Sequence, residues 1–177
     1  MCRPIHHHRE VFNGHYRVHG LKFQSIAIPD GLIASLYGPM AGRRHDSTLL
    51  HASGVLAAYM QHNMNSPDGQ PLCLHGDPAS PLDSACEKKT YRRQHLTPQE
   101  QAFNTAMSSV RQCVEWEFEK VVRLWAFFDF GKNLKLFLSP VGKLYIVGVL
   151  LTNCHTCLRE SETSEYFQLN PPSLDLY

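Results

Sequence analysis

The sequence has no excess of charge of either sign: 17 Lys and Arg stand against 16 Asp and Glu, a formal net charge of +1. That balance excludes a strongly basic chain that grips nucleic acid by charge alone. Long hydrophobic runs are missing too. The longest, Tyr145 to Leu151, falls far short of the roughly 20 residues of a membrane-spanning helix, so no membrane is expected as a partner. Met1 is followed by Arg3, His6, His7 and His8 rather than by an apolar stretch, which predicts no secretory leader and an intracellular protein. Six Cys in 177 residues, without a leader, read as reduced thiols and not as a disulfide framework. There is no internal repeat.

A hydrophobic content of 43% with 19% charged residues is enough to build a core. The length suits one domain, expected over residues 1–160 and followed by an acidic tail over 161–177 that is exposed or loosely docked. The eleven His are the unusual count.

VHGLKFQSIAI from Val18 to Ile28 is rich in β-branched and aromatic residues, Pro29-Asp30-Gly31 supplies a turn, and LIASLY follows from Leu32 to Tyr37; this predicts a β-hairpin. The loop GPMAGRRHD leads into a helix expected from about Ser47 to Met60, with Asp46 placed to cap it. Pro71 to His75 has the character of a buried strand ended by Gly76-Asp77-Pro78. Residues 83–101 are polar and hold the cluster Lys88, Lys89, Arg92, Arg93 and His95. Thr97-Pro98-Gln99-Glu100 has the form of a helix start, and the helix is expected to run to about Trp125. Met107, Val110, Val114, Phe118, Val121 and Trp125 fall within about 80° of one another at helical spacing, an apolar stripe with Glu115 beside it. Ser139-Pro140 opens a last, largely apolar helix. The order is that of a mixed α/β chain with a hairpin.

Hydrolysis or transfer of a phosphodiester by two divalent metals needs carboxylates from distant parts of a chain, because the ions sit about 3.5–4 Å apart and share ligands. Asp77, after a predicted strand, and Glu115, on a helix edge facing the sheet, are candidates. By spacing alone they read more readily as a turn residue and a solvated flank. Cys154-His155-Thr156-Cys157 has CxxC spacing without a second pair, which favours core residues over zinc ligands. The adjacent side chains of His6, His7 and His8 point in different directions, which favours a surface loop.

Five segments in order, NGHYRVHGLKFQSIAIPDGLIASLYG at 13–38, GPMAGRRHD at 38–46, HGDPAS at 75–80, AFNTAMSSVRQCVEWEFE at 102–119 and NLKLFLSPVGKLYIVGVLLTN at 133–153, resemble the nuclease domain of the DDE superfamily endonucleases, the Harbinger-type transposases and their domesticated derivatives. The resemblance implies a ribonuclease-H-like fold, a mixed sheet with flanking helices. It implies a nuclease using Mg²⁺ or Mn²⁺ on DNA, acting in the nucleus beside a separate DNA-binding protein. Asp77 matches the family's second catalytic Asp and Glu115 its catalytic Glu. Asp46 matches an acidic position near the site, as a metal-site residue or as a helix cap. His45 stands beside it, and Arg43 and Arg44 with Lys88, Lys89, Arg92 and Arg93 are candidates for phosphate contacts.

The chain departs from the family at two places. The family's first Asp lies in an Asp-Gly-Thr-like segment upstream of the CRP at positions 2–4, so the first strand is expected to be missing or incomplete and the activity impaired. Ser80 replaces an aromatic residue, and Glu117 and Glu119 stand where many relatives carry small residues. A non-catalytic module that binds DNA or a protein is the alternative expectation.

Overall fold

Asp30 shapes the central turn of the molecule: its Oδ1 accepts a hydrogen bond from the Leu32 N–H at 3.0 Å, and Gly31 takes a φ of 84° that an L side chain resists. The strands it joins are the expected hairpin. In this computed structural model residues 1, 4, 6–62, 65, 69–70, 72–74, 91, 95–128 and 134–177 are described. They fall into two compact units, Met1–His45 with Cys113–Tyr177, and Asp46–Gln112.

The first unit begins with a two-stranded antiparallel sheet, β1 (Phe12–Asn13) and β2 (Val18–His19), in which Phe12 faces His19. Its turn is held by Asn13, whose Oδ1 accepts from the N–H groups of His15 and Tyr16. A second antiparallel sheet pairs β3 (Leu21–Ala27) with β4 (Ile33–Ala41), from Leu21 opposite Ala41 to Ala27 opposite Ile33, with the register shifting between Lys22 and Gln24 and between Ile26 and Ala27. The fold is therefore mixed α/β, with two small antiparallel sheets among the described residues.

Helix α4 (Val141–Arg159) packs on β4. Ile33, Val121, Phe128 and Val149 form the buried cluster, flanked by Leu36, Trp125, Leu144 and Tyr145. Glycines permit this close packing: a Cβ on Gly148 would lie 2.4 Å from Phe128 Cε2, and one on Gly142 would lie 2.5 Å from Pro39 Cγ. Helix α4 is longer than its apolar run suggests, and by length and composition it could cross a membrane. Here Gly148, Val149, Thr152, Asn153 and Thr156 are buried against the unit, while Ile146, Val147, Leu150 and Leu151 remain exposed.

The C-terminal segment is docked rather than loose. Ser161 and Ser164 form a capping box at the start of α5 (Glu162–Phe167), and Ser161, Thr163 and Ser164 are buried. Hydroxyl-rich caps satisfy backbone groups that would otherwise resist burial, which is why a polar tail can pack.

In the second unit the single helix expected from Ser47 to Met60 is two: α1 (Asp46–Ser53) and α2 (Val55–His62). Gly54 breaks them with a φ of 68°. The Ser53 hydroxyl donates to the Leu50 carbonyl and accepts from the Val55 N–H across the break. Of the strand expected over Pro71 to His75, residues 72–74 are described, and they hold one bridge residue, Leu74, and no strand. Helix α3 (Pro98–Leu124) starts in this unit and ends in the first. Its capping box forms as expected: the Glu100 N–H donates to Thr97 Oγ1, and the Thr97 N–H to Glu100 Oε2.

Candidate functional site

Gly42 fixes the start of the basic loop. It is buried where a Cβ would meet the Val11 carbonyl oxygen at 2.6 Å and that of Gly20 at 2.7 Å, and its N–H donates to the Gly20 carbonyl. This clamp joins the end of β4 to the open end of the β1–β2 hairpin, where Val11 precedes β1 and Gly20 follows β2. Arg43 follows directly, its backbone N–H bonded to the Glu10 carbonyl, so its exposed side chain meets residues from a separate stretch of sequence. His8, Arg9, Phe12, His19 and Arg43 line one depression of about 670 Å³. Its charged side chains are cationic, and Phe12 offers an exposed ring. Arg44 and His45 are exposed just beyond it. Spacing hides this grouping, because Arg9 and Arg43 meet only once the two hairpins have formed.

Asp46 opens α1, exposed in its first turn, where the helix dipole favours a carboxylate. Asp77, Lys88, Lys89, Arg92 and Arg93 lie outside the described residues, as does the strand end on which Asp77 was expected.

Along α3 the expected stripe is buried only in part: Val121 lies in the core and Trp125 packs against it, but Cys113 and Glu117 are buried in place of its earlier members. Cys113, Glu117 and Val121 point inward, one turn apart. Met107, Val110, Val114 and Phe118 are half-buried, and Glu115 is exposed. Glu117 is 2% exposed. Its Oε1 accepts a 2.6 Å hydrogen bond from the Thr163 hydroxyl, and its Oε2, closed off from solvent, has no hydrogen-bond partner of normal geometry among the described residues. The Ser161 hydroxyl also favours its charged form. Burial pushes the Glu117 carboxyl above the usual carboxylate range, opposed by the Thr163 hydrogen bond and by the charge of Lys120. Burial lowers the Lys120 ammonium in turn, opposed by Glu117 and Glu162. Lys120 Nζ donates to Thr156 Oγ1 at 2.8 Å and to the Glu160 carbonyl at 3.2 Å. An apolar-stripe argument misses Glu117 because its partner, Thr163, comes from 46 residues away.

Among the described residues no three His, Cys, Asp or Glu side chains are grouped to hold a metal ion. Cys154 and Cys157 are thiols on α4. Burial and the neighbouring cations Lys120 and Arg159 lower the His155 imidazole, favouring its neutral form. In the N-terminal turn, His7 pairs with Glu10 at 2.9 Å.

The family model of the DDE superfamily endonucleases matches residues 1–153. No curated protein and no solved structure matches the chain.

Proposed function

The chain belongs to the DDE superfamily endonucleases, and from that premise we propose that it is the nuclease domain of a Harbinger-type, transposase-derived protein with a ribonuclease-H-like fold, acting on DNA in the nucleus. The family match over residues 1–153 carries this reading. Asp77 and Glu115 are its catalytic carboxylates, joined by Asp46, and together they would hold Mg²⁺ or Mn²⁺. The donor set suits such ions, since carboxylate oxygens are the ligands these hard cations take. Asp46 and Glu115 are each exposed. Bound there, the metal supplies activation of water and charge stabilisation at the leaving 3′-oxygen of a phosphodiester. Arg43 and Arg9 hold the DNA backbone, each neutralising a phosphate and setting orientation without reading sequence.

No Asp-Gly-Thr occurs in the 177 residues, so this chain by itself offers one carboxylate fewer than the family's set. It should nick DNA weakly or not at all. Supercoiled plasmid incubated with Mg²⁺ or Mn²⁺ tests this: the expected result is little relaxation, and none that depends on Asp77. Robust nicking abolished by Asp77→Ala would overturn the impairment and leave the nuclease reading standing. Nicking that survives both Asp77→Ala and Glu115→Ala would overturn the site assignment.

The depression lined by Arg9 and Arg43 favours a second reading, a module that binds DNA without cutting it. That surface is complete without the missing carboxylate.

A further inference from the structure

A single exposed ring is ordinary on a protein surface, and what distinguishes Phe12 is its company. It is 38% exposed on β1 and stands among His8, Arg9, His19 and Arg43 in the depression at the N-terminal hairpin. Its ring is tilted against the His19 imidazole at 5.2 Å between centroids. Among the described residues no carboxylate lines this depression. Glu10, the acid nearest in sequence, is bonded to His7, and neither Arg9 nor Arg43 is ion-paired within the described residues. Both guanidinium groups are left to pair with an anion from outside, and their planar fork suits phosphate.

A ligand that uses the whole depression carries anionic oxygens and a flat π face close together, and a nucleotide carries both. In a duplex the base faces are hidden in the stack, so a protein meets phosphates, sugars and base edges. In a single strand the faces are accessible, and aromatic side chains beside a cationic groove are what such strands stack on.

We propose that this depression binds single-stranded DNA, with one unpaired base stacked on Phe12 and the flanking phosphates paired with Arg9 and Arg43. The site rests on the reading of these arginines as DNA backbone contacts, and it adds a recognition of unpaired bases that the arginines cannot supply. Gly14 completes the lining. A Cβ there would meet nothing within 4 Å, so a side chain can enter the depression without disturbing the hairpin.

Fluorescence anisotropy with the whole 177-residue chain, at one salt concentration and without metal, tests the proposal. The labelled probes are a thymidylate strand of about twelve nucleotides, within the span that such sites cover, a uridylate strand, a strand of abasic sites with the same phosphates, and a duplex, all of equal length. Thymidylate should bind at least about fivefold more tightly than the abasic strand, the lower end of what stacking one base contributes. Phe12→Leu should erase that difference and leave abasic and duplex binding unchanged, and Phe12→Trp should preserve it. Gly14→Glu, which brings a carboxylate into the depression, should weaken thymidylate binding by about fivefold or more. Circular dichroism establishes that each variant is folded, and Gly14→Glu decides the matter if Phe12→Leu is not. Equal binding of thymidylate and abasic strands, or unchanged thymidylate binding in either folded variant, would overturn the proposal. Tighter binding of uridylate than of thymidylate would overturn the assignment to DNA. Duplex binding that Arg43→Ala still weakens would then leave the backbone contacts standing, whereas duplex binding indifferent to Arg43→Ala would overturn those contacts as well.

Discussion

Asn153 does for the start of β4 what a neighbouring strand would otherwise do. Its Oδ1 accepts from the Ile33 N–H at 3.0 Å, and its Nδ2 donates to the Ile33 carbonyl at 2.9 Å and to the Tyr177 hydroxyl at 2.9 Å. One buried side chain thus completes the backbone of a core strand and holds the C-terminal residue. Asn153→Leu keeps the volume and removes every partner, leaving a buried N–H and a buried carbonyl unsatisfied. We expect a loss of about 2–4 kcal/mol, summing roughly 1–2 for each orphaned group, read as a lowered urea midpoint. An unchanged midpoint would mean that water replaces the amide. Tyr145 provides a second test, through pH. Burial pushes its phenol up to about 12, whereas in an unfolded chain it ionises near about 10. Between those values the native state holds the extra proton, so its contribution to stability, complete below about pH 10, falls as pH rises. Tyr145→Phe should therefore lose less stability than the parent between pH 9 and pH 11. The gap should approach 1–2 kcal/mol, because each pH unit of displacement corresponds to about 1.4 kcal/mol. Parallel curves for the two proteins would show that Tyr145 ionises freely.

Helix α4 is positioned by the residues it lacks as much as by those it has. At Gly148 the Phe128 ring comes so near that an added methyl would sit 2.4 Å from one ring carbon and 2.8 Å from another. The ring has little room to give way, being 6% exposed and edge-on to Tyr145 at 5.6 Å between centroids. Gly148→Ala should cost about 1–3 kcal/mol, the usual range for overpacking. Adding Phe128→Leu should recover part of that loss in a double-mutant cycle, because the two residues share one contact. Strict additivity would place the cost elsewhere. What the sequence revealed at this level follows from how local each signal is. The hairpin announced itself because β-branched residues flank Pro29-Asp30-Gly31, and the start of α3 because Thr97 and Glu100 bond each other within one turn. The break at Gly54 rests on one backbone angle inside an otherwise helical pattern, and the pattern concealed it. The buried face of α3 was hidden for a different reason. Periodicity ranks side chains by their own polarity, and Glu117 is buried because Thr163 and Ser161 arrive from the far end of the chain to cover it.

For the whole molecule, a net charge of +1 leaves DNA attraction to local concentrations of charge, and the depression holding Arg9 and Arg43 with His8 and His19 is one of them. Sequence reading had Arg43, with Arg44, as a candidate phosphate contact in a loop; folding adds Arg9 to the same depression, and the clamp at Gly42 holds the arrangement. The assignment of Asp77 and Glu115 rests on the family's motif alone, since neither burial nor spacing marks Glu115, which is exposed. The two parts of the reading can therefore be tested apart. If the basic depression carries the backbone contacts, binding to duplex DNA weakens as salt rises, with log K falling against log salt by about 0.9 for each phosphate neutralised. Arg43→Ala and Arg9→Ala should each make that slope shallower by roughly 1 and lower the affinity for all sequences alike. Glu115→Gln should leave the slope unchanged in metal-free buffer, because the role proposed for Glu115 is to hold a metal and not a phosphate. Fluorescence anisotropy of a labelled duplex across a salt series measures all three. Slopes unaltered by either arginine substitution would move the DNA-binding surface away from the β1–β2 hairpin, whether or not the chain cuts DNA.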